Sequence, residues 1–319
     1  ILDDDDELVQ QYYQNRALDS FSLTCLGIVY TVLIFIGAIG NGLVCLAVAR
    51  QPKMRTSRNL FIINLAISDL LLCFFTIPFS LVEISTKSWP YGECIAMCKL
   101  VLALEATSIF VSTLSITAIA LDRYQVILHS MNPVDQSHRS SFPHIAKLLV
   151  IWMIGTLLAL PLFLFRTVEV HNIGIKEIDP IKYCIEKWPI THGRFYYSVF
   201  SMLIQYFVPI TIVSVVYTRL CIKLRSRTMR RTSTTQLPNL RNRLQRRARR
   251  TNMLLISIAL IFCISWLPLN ALNVICDLKF PFENDSTFRI TFAVCHMAGM
   301  SSSCSNPFLY GWLNQNFRN

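Results

Sequence analysis

Residues Phe262–Asp277 read FCISWLPLNALNVICD. The stretch is apolar enough to lie in lipid, yet Pro268 stands in its middle, where a proline removes one backbone hydrogen bond and kinks a helix. Phe262, Trp266, Asn273 and Asp277 are spaced so that they share one helical face. From Trp266 to Asp277 that face rises roughly 16 Å, at about 1.5 Å per residue. One stripe therefore joins an acid near a membrane surface to a bulky aromatic at mid-depth, beside a hinge. Such a stripe is suited to turning ligand contact into helix motion. The competing reading is a kinked membrane helix whose polar end is incidental.

Around this stretch the chain has the composition of an integral membrane protein. Of its 319 residues, 53% are hydrophobic and only 15% charged, against about a quarter charged in soluble domains; the mean hydropathy is +0.45. Seven apolar blocks stand out: Ser20–Ala49, Leu60–Val82, Leu100–Leu121, Leu148–Phe165, Phe195–Thr218, Met253–Cys276 and Ile290–Leu313. Each is long enough to cross a hydrocarbon core of about 30 Å as a helix. The short alternating segments of a membrane barrel are not seen. The expected fold is thus an all-α seven-transmembrane helix bundle. The chain starts at Ile1, without a methionine, and stops at Asn319, which reads as a trimmed fragment.

Lys and Arg set the expected orientation. Arg50, Lys53, Arg55 and Arg58 fill the first connection, and a basic stretch at about 225–250 fills the fifth. Both are expected to be cytoplasmic, which puts the amino terminus outside. Residues 1–19 then form an extracellular acidic tail containing Asp3–Glu7, 20–313 the membrane domain, and 314–319 the start of a short amphipathic helix. Most other acids fall on the outer side, including Glu83, Glu105, Glu186 and Asp277. An acidic vestibule attracts cationic ligands; alternatively the acids gather wherever Lys and Arg are not needed. The net charge of +11 suits a membrane surface and protein partners rather than nucleic acid.

Polar residues inside the spans are candidates for function, because lipid offers them no partners. Asn41 must face the bundle interior. Asp69 needs a cation or a polar cage, unless it is a protonated structural acid. Glu105 lies about two turns below Cys98, within reach of the outer mouth. The oxidising exterior permits a bridge between Cys98 and Cys184, with Cys94 as an alternative partner. Asp122-Arg123-Tyr124 ends the third span, and Asn284-Asp285-Ser286 is a glycosylation sequon near the membrane. Neither a nucleotide loop nor a metal-ligand cluster appears, so no enzyme is expected.

Taken in order, Gly40-Asn41, Asp69, Cys98, Asp122-Arg123-Tyr124, Trp152, Pro209, Tyr217, Trp266-Leu267-Pro268 and Asn306-Pro307-Phe308-Leu309-Tyr310 resemble a rhodopsin-like (class A) G-protein-coupled receptor. Within that class the chain is similar to the neuropeptide Y / neuropeptide F receptor group. The similarity rests on Trp89-Pro90-Tyr91-Gly92, Cys98-Lys99-Leu100, the loop Cys184-Ile185-Glu186-Lys187-Trp188-Pro189, Asn273 with Asp277, His296, and Gly311-Trp312-Leu313-Asn314-Gln315-Asn316-Phe317.

The resemblance implies a plasma-membrane receptor for an extracellular peptide ending in arginine and an amidated aromatic residue. Asp277 would meet the arginine, Asn273 and Gln205 deeper groups, and His296 the amide, with Glu105, Glu83 and Glu186 around them. It implies a sodium ion as an allosteric ligand at Asp69, Ser112, Ser302 and Asn306, and no other cofactor. Trp266, Phe262, Pro268, Pro209, Tyr217, Asn306, Pro307 and Tyr310 would carry activation, and Asp122, Arg123 and Tyr124 would meet a heterotrimeric G protein. The resemblance favours Gi/o over Gq, with arrestin and receptor kinases as further partners. Four departures stand out. Glu105 replaces a frequent Gln, Glu83 a frequent aromatic, Pro133 comes a few residues late, and no acid opens the sixth span, so a lock to Arg123 is not expected.

Other receptors and membrane proteins are weighed on the same residues. A receptor for another cationic ligand, such as a biogenic amine or an unrelated basic peptide, is the alternative, since Glu105 is an acid in the outer third span. A light sensor needs a lysine in the seventh span, and Ile290–Leu313 has none. A transporter or channel would use Asp69 and Glu105 as an ion path, but no internal repeat supports it.

Overall fold

The computed structural model describes residues 15–51, 57–92, 94–129, 144–171, 180–230 and 238–313. The predicted carboxy-terminal helix at 314–319, Pro133, and the acidic run Asp3–Glu7 lie outside the described residues. Seven helical spans form the bundle. Helix α1 is Ser20–Arg50; α2 runs as Ser57–Leu71, a π-helical turn Leu72–Thr76, and Ile77–Ser85; α3 is Ile95–His129; α4 is His144–Phe165. Helix α5 runs as Gly193–Met202, a π-helical turn Leu203–Phe207, and Val208–Arg230; α6 is Pro238–Leu278 and α7 Asp285–Leu313. Six of these are long and apolar enough to cross a membrane. The seventh, α7, has the length, at 29 residues, but its polar run from Ser301 to Asn306 dilutes it.

The helices outrun the apolar blocks. The stretch read as a basic loop at about 225–250 is largely helical: α5 continues to Arg230 and α6 begins at Pro238. Arginine is a good helix former, and a proline at a first helical position has no amide hydrogen to lose. The Asp19 side chain caps α1 by accepting from the Ser22 amide at 3.0 Å, and its bonds with the Ser22 hydroxyl and amide hold the Asp19 carboxyl below its usual value.

Proline chemistry shapes two helices in the same way. Pro78 and Pro209 each sit two residues beyond a π-helical turn. The extra residue in that turn relieves the clash between the proline ring and the preceding carbonyls. Pro161, Pro268 and Pro307 lie inside unbroken α-helix.

The bundle is not wholly helical. Between α4 and α5, β1 (Arg166–His171) and β2 (Ile181–Glu186) pair antiparallel, with Arg166 opposite Glu186 and His171 opposite Ile181. Cys184 in β2 is bridged to Cys98 in α3, with the Cα atoms 5.8 Å apart; Cys94 is free and exposed. The Trp89 amide donates to the Lys182 carbonyl at 2.6 Å, tying the α2–α3 loop to the hairpin. In that loop Gly92 takes a left-handed conformation, with φ of 61°, which glycine adopts without steric cost.

Below the hairpin, polar side chains bind the helices to one another. Asn64 donates to Ser115 Oγ and accepts from Trp152 Nε1, both at 2.8 Å, joining α2, α3 and α4. Asn41 Nδ2 donates to the Ser303 carbonyl at 3.0 Å, joining α1 to α7. Asn306 Nδ2 donates to Asp69 Oδ2 at 2.8 Å, joining α7 to α2. Helices α1 and α7 pack closely, because a Cβ added at Gly40 would lie 2.8 Å from Pro307 Cγ.

Gly299 gives Trp266 its place: a Cβ there would meet the indole Cε3 at 2.8 Å. Trp266 is buried, so the ring has little room to yield. Gly299→Ala gains roughly 1 kcal/mol of helix propensity but incurs overpacking of about 1–3 kcal/mol. The expected outcome is a lower apparent Tm in detergent; an unchanged or raised Tm would show that Trp266 moves freely.

Candidate ligand site at the hairpin end

A cavity of about 360 Å³ opens at the hairpin end of the bundle. Trp266, Glu105 and Gln205 reach it from within the spans, Lys87 and Tyr183 from the connections, and Asp285 from the first turn of α7. Its size suits the end of a peptide or a small ligand rather than a whole peptide. The π-helical turn of α5 contains Gln205, which is buried while lining the cavity. The stripe on α6 faces inward as its spacing predicts. Trp266 and Asn273 line the cavity, and Phe262 lies beneath Trp266 with ring centroids 6.2 Å apart.

The acids at this end are met by the chain's own cations. Glu83 Oε1 accepts from Arg166 Nη2 at 2.7 Å, and Arg166 Nη1 also donates to the Cys98 carbonyl at 3.3 Å. Asp277 Oδ1 lies 2.9 Å from Arg194 Nε, and Glu186 Oε2 3.8 Å from the same nitrogen. Asp285 pairs with Arg289 at 2.6 Å and Glu169 with Lys187 at 3.0 Å. The acidic vestibule expected from the sequence is therefore locally neutralised at these positions.

Glu105 differs. Among the described residues its ion-pair partner is His296, whose Nε2 lies 3.4 Å from Glu105 Oε1 without the alignment of a hydrogen bond. The other ring nitrogen, Nδ1, shares a 2.9 Å hydrogen bond with the Tyr30 hydroxyl, and Tyr30 and Phe292 flank the ring. Glu105 thus lines the cavity with a carboxylate that no lysine or arginine of the described chain pairs with. Behind the Trp89 and Tyr91 ring pair, burial, and then the Glu83 carboxylate, push the Tyr91 phenol up.

The predicted ligand residues separate into two groups. Glu83, Glu105, Glu186, Gln205 and Asn273 line the cavity. Asp277 and His296 stand one layer behind it, Asp277 under Arg194 and His296 under Glu105. Of the predicted sodium ligands, Asp69 holds Asn306, Ser112 pairs with Ser68 at 2.9 Å, and Ser302 accepts from Trp266 Nε1 at 3.2 Å. Tyr310 and Pro209 are buried, and Pro268 is exposed. Asp122 is half-buried near the far end of α3. The side chains of Arg123, Tyr124 and Tyr217 lie outside the described residues, and Asn284 is exposed between α6 and α7.

Sequence reasoning missed the cations. Arg289 Nη1 donates to the carbonyls of Glu83, Ile84 and Thr86 at 3.3, 3.2 and 2.9 Å, capping the end of α2 from α7. Arg166 directly follows an apolar block and Arg194 directly precedes one. That position is the one signal available, and snorkelling anchors share it.

The sequence signature of the family described as 7 transmembrane receptor (rhodopsin family) matches residues 40–310. The chain belongs to that family. It is 48% identical to the neuropeptide F receptor of Drosophila melanogaster over 98% of its own length and 65% of that receptor's. It is 36% identical to the human neuropeptide Y receptor type 2, over 91% of this chain and 73% of that one. Against the mouse neuropeptide Y receptor type 6 it is 32% identical, over 96% and 82%. The likeness to the neuropeptide Y and neuropeptide F receptor group therefore holds. The chain is a membrane protein of a receptor family, not of an enzyme family.

Removing Glu83 would leave the Arg166 guanidinium, 10% exposed, without its charge partner. Breaking a buried pair costs about 3–5 kcal/mol; with Glu83 one-third exposed, about 1–3 kcal/mol is expected after solvent screening. Thermal unfolding of Glu83→Ala, Arg166→Met and the double variant measures this. The double variant should recover part of the loss, and strictly additive losses would deny the coupling.

Proposed function

We propose that the chain is a plasma-membrane receptor for an extracellular peptide that ends in arginine and an amidated aromatic residue, and that it signals through a heterotrimeric G protein. The observation that carries the reading is Glu105, a cavity-lining carboxylate with no arginine or lysine beside it among the described residues. The relatives are named as receptors for neuropeptide F and neuropeptide Y, and the cavity accommodates a peptide end. The terminal amide donates to Glu105, with Gln205 and Asn273 available to the ligand's remaining polar groups. A free carboxylate in place of the amide is repelled by Glu105. The ligand's arginine is drawn to Asp277, since a guanidinium fork prefers a carboxylate.

Binding shifts the equilibrium between two packings of the bundle. Trp266 lies at the cavity floor and touches both sides of the switch: Phe262 below it on α6 and Ser302 on α7. Helix α6 then swings about Pro268, and the far end, with Asp122, Arg123 and Tyr124, meets the G protein. The basic ends of α5 and α6 support a cytoplasmic position for that end, with the hairpin outside. Asp69 is a buried carboxylate that accepts from Asn306 Nδ2 at 2.8 Å, and carboxylate and hydroxyl oxygens are the ligands a hard cation such as sodium takes. Held there with Ser112, Ser302 and Asn306, sodium would favour the resting packing.

Glu105 also supports a second reading, an amine as ligand. A panel of amidated Arg-Phe and Arg-Tyr peptides, their free acids and biogenic amines, read by G-protein dissociation, separates the two. Glu105→Gln keeps an acceptor and is expected to lower peptide potency less than about fivefold, as for a charged hydrogen bond made neutral. Glu105→Leu removes the acceptor and should lower potency about 30-fold or more. Equal and severe losses in both variants would mean that Glu105 meets a cation, as an amine receptor requires.

A further inference from the structure

The carboxylate that awaits a ligand guanidinium already holds one. Arg194 Nε lies 2.9 Å from Asp277 Oδ1, and the Ser198 hydroxyl donates to Asp277 Oδ2 at 2.6 Å. Arg194 and Ser198 are one turn apart on α5, so both reach α6 from one face. The Asp277 side chain is 4% exposed, whereas that of Arg194 is 55% exposed. Arg194 lines the cavity in front of the acid it covers.

A second acid stands within reach of the same cation. Glu186, at the end of β2, places Oε2 3.8 Å from Arg194 Nε, and Trp188 Nε1 donates to that oxygen at 2.9 Å, fixing it. One exposed guanidinium therefore stands between two acids carried by different elements, closer to the more buried one.

We infer that Arg194 is a specificity-determining residue, an internal guanidinium that occupies Asp277 until a ligand guanidinium displaces it and Glu186 takes Arg194 over. The inference rests on the proposal above that the ligand brings an arginine. The exchange keeps the charges matched. Before binding, Arg194 sits on Asp277; afterwards the ligand arginine sits on Asp277 and Arg194 on Glu186. The Ser198 hydrogen bond persists throughout and keeps the carboxylate aimed at the cavity. A ligand without a cation at this position cannot open the wall, because displacing Arg194 would leave a buried carboxylate unpaired. The wall thus discriminates by charge, through the vacating of an occupied site.

A clip that merely joins α5 to α6 makes the opposite forecast, since its loss can weaken binding but not improve it. The test is equilibrium binding of an amidated Arg-Phe peptide and of its citrulline analogue to cell membranes carrying the receptor, with surface expression counted. Arg194→Gln is expected to tighten the arginine peptide about 1.5- to fivefold, the range of a partly exposed ion pair, and to leave the citrulline peptide unchanged. Arg194→Met serves the same comparison if Arg194→Gln does not reach the surface. Glu186→Gln should weaken the arginine peptide in the wild-type background and not in Arg194→Gln. Unchanged or weaker binding of the arginine peptide to Arg194→Gln overturns the exchange, and so does an equal gain for the citrulline peptide. Equal Glu186→Gln losses in both backgrounds overturn its role as receiving acid. A wild type that binds neither peptide overturns the proposed ligand class, and the exchange falls with it. A wild type that binds the arginine peptide without a gain in Arg194→Gln overturns the exchange alone.

Discussion

Hydrocarbon offers no partner to a polar group, and that constraint orders this bundle. Each amide and carboxylate placed in a span must be met within the protein, by its own helix or by another. Asn41 finds a carbonyl on α7, Asp69 finds Asn306, and Asn64 gathers Ser115 and Trp152. These contacts select which face of each helix turns inward. The apolar surface packs behind them but cannot choose a rotation, because lipid and protein interior are equally apolar. The inward faces in turn bring Trp266, Gln205 and Glu105 to one cavity.

The spans were legible because hydropathy is a property of consecutive residues. Polar residues isolated in those spans were legible for a related reason: an Asp69 or a Glu105 in lipid is anomalous without knowledge of its neighbours. The face shared by Phe262, Trp266 and Asn273 followed from helical spacing alone. The hairpin was less visible, because two six-residue strands pinned by a disulfide carry a weak alternating signal beside spans of twenty residues and more. The helical extension of α6 into the basic stretch was hidden by its charge, which reads as loop until the strong helix propensity of arginine is given weight.

Pairing was the least legible level. Glu83 with Arg166, Asp277 with Arg194, and Glu105 with His296 are separated by 83, 83 and 191 positions, taken as differences of residue numbers. Nothing local announces such partners. A census of acids therefore gives an electronegative vestibule, whereas the folded chain gives a set of matched charges. The long-range field of the mouth is weaker than the acids alone imply, and matched pairs are screened further by salt. In the proposed function, capture of a cationic ligand would then depend less on diffusion in a strong field than on exchange at close range.

The π-helical turns connect this level to the bundle's mechanics. A regular α-helix through Gln205 would turn that side chain by a different amount relative to Arg194 and Ser198 above it. The inserted residue in Leu203–Phe207 lets both ends of α5 serve the cavity, with Gln205 low on the wall and Arg194 and Ser198 at the height of Asp277. Pro209 fixes the site of the insertion, because its ring disfavours the regular hydrogen-bond pattern one turn earlier. The matching turn before Pro78 sets the hairpin end of α2, where Glu83 meets Arg166 and Arg289 caps the last carbonyls. Two prolines that remove hydrogen bonds thus decide where two charged walls stand. The stripe from Trp266 to Asp277 meets the α5 wall at Arg194 and Ser198, so in the proposed mechanism a hinge at Pro268 would work against the π-helical turn of α5.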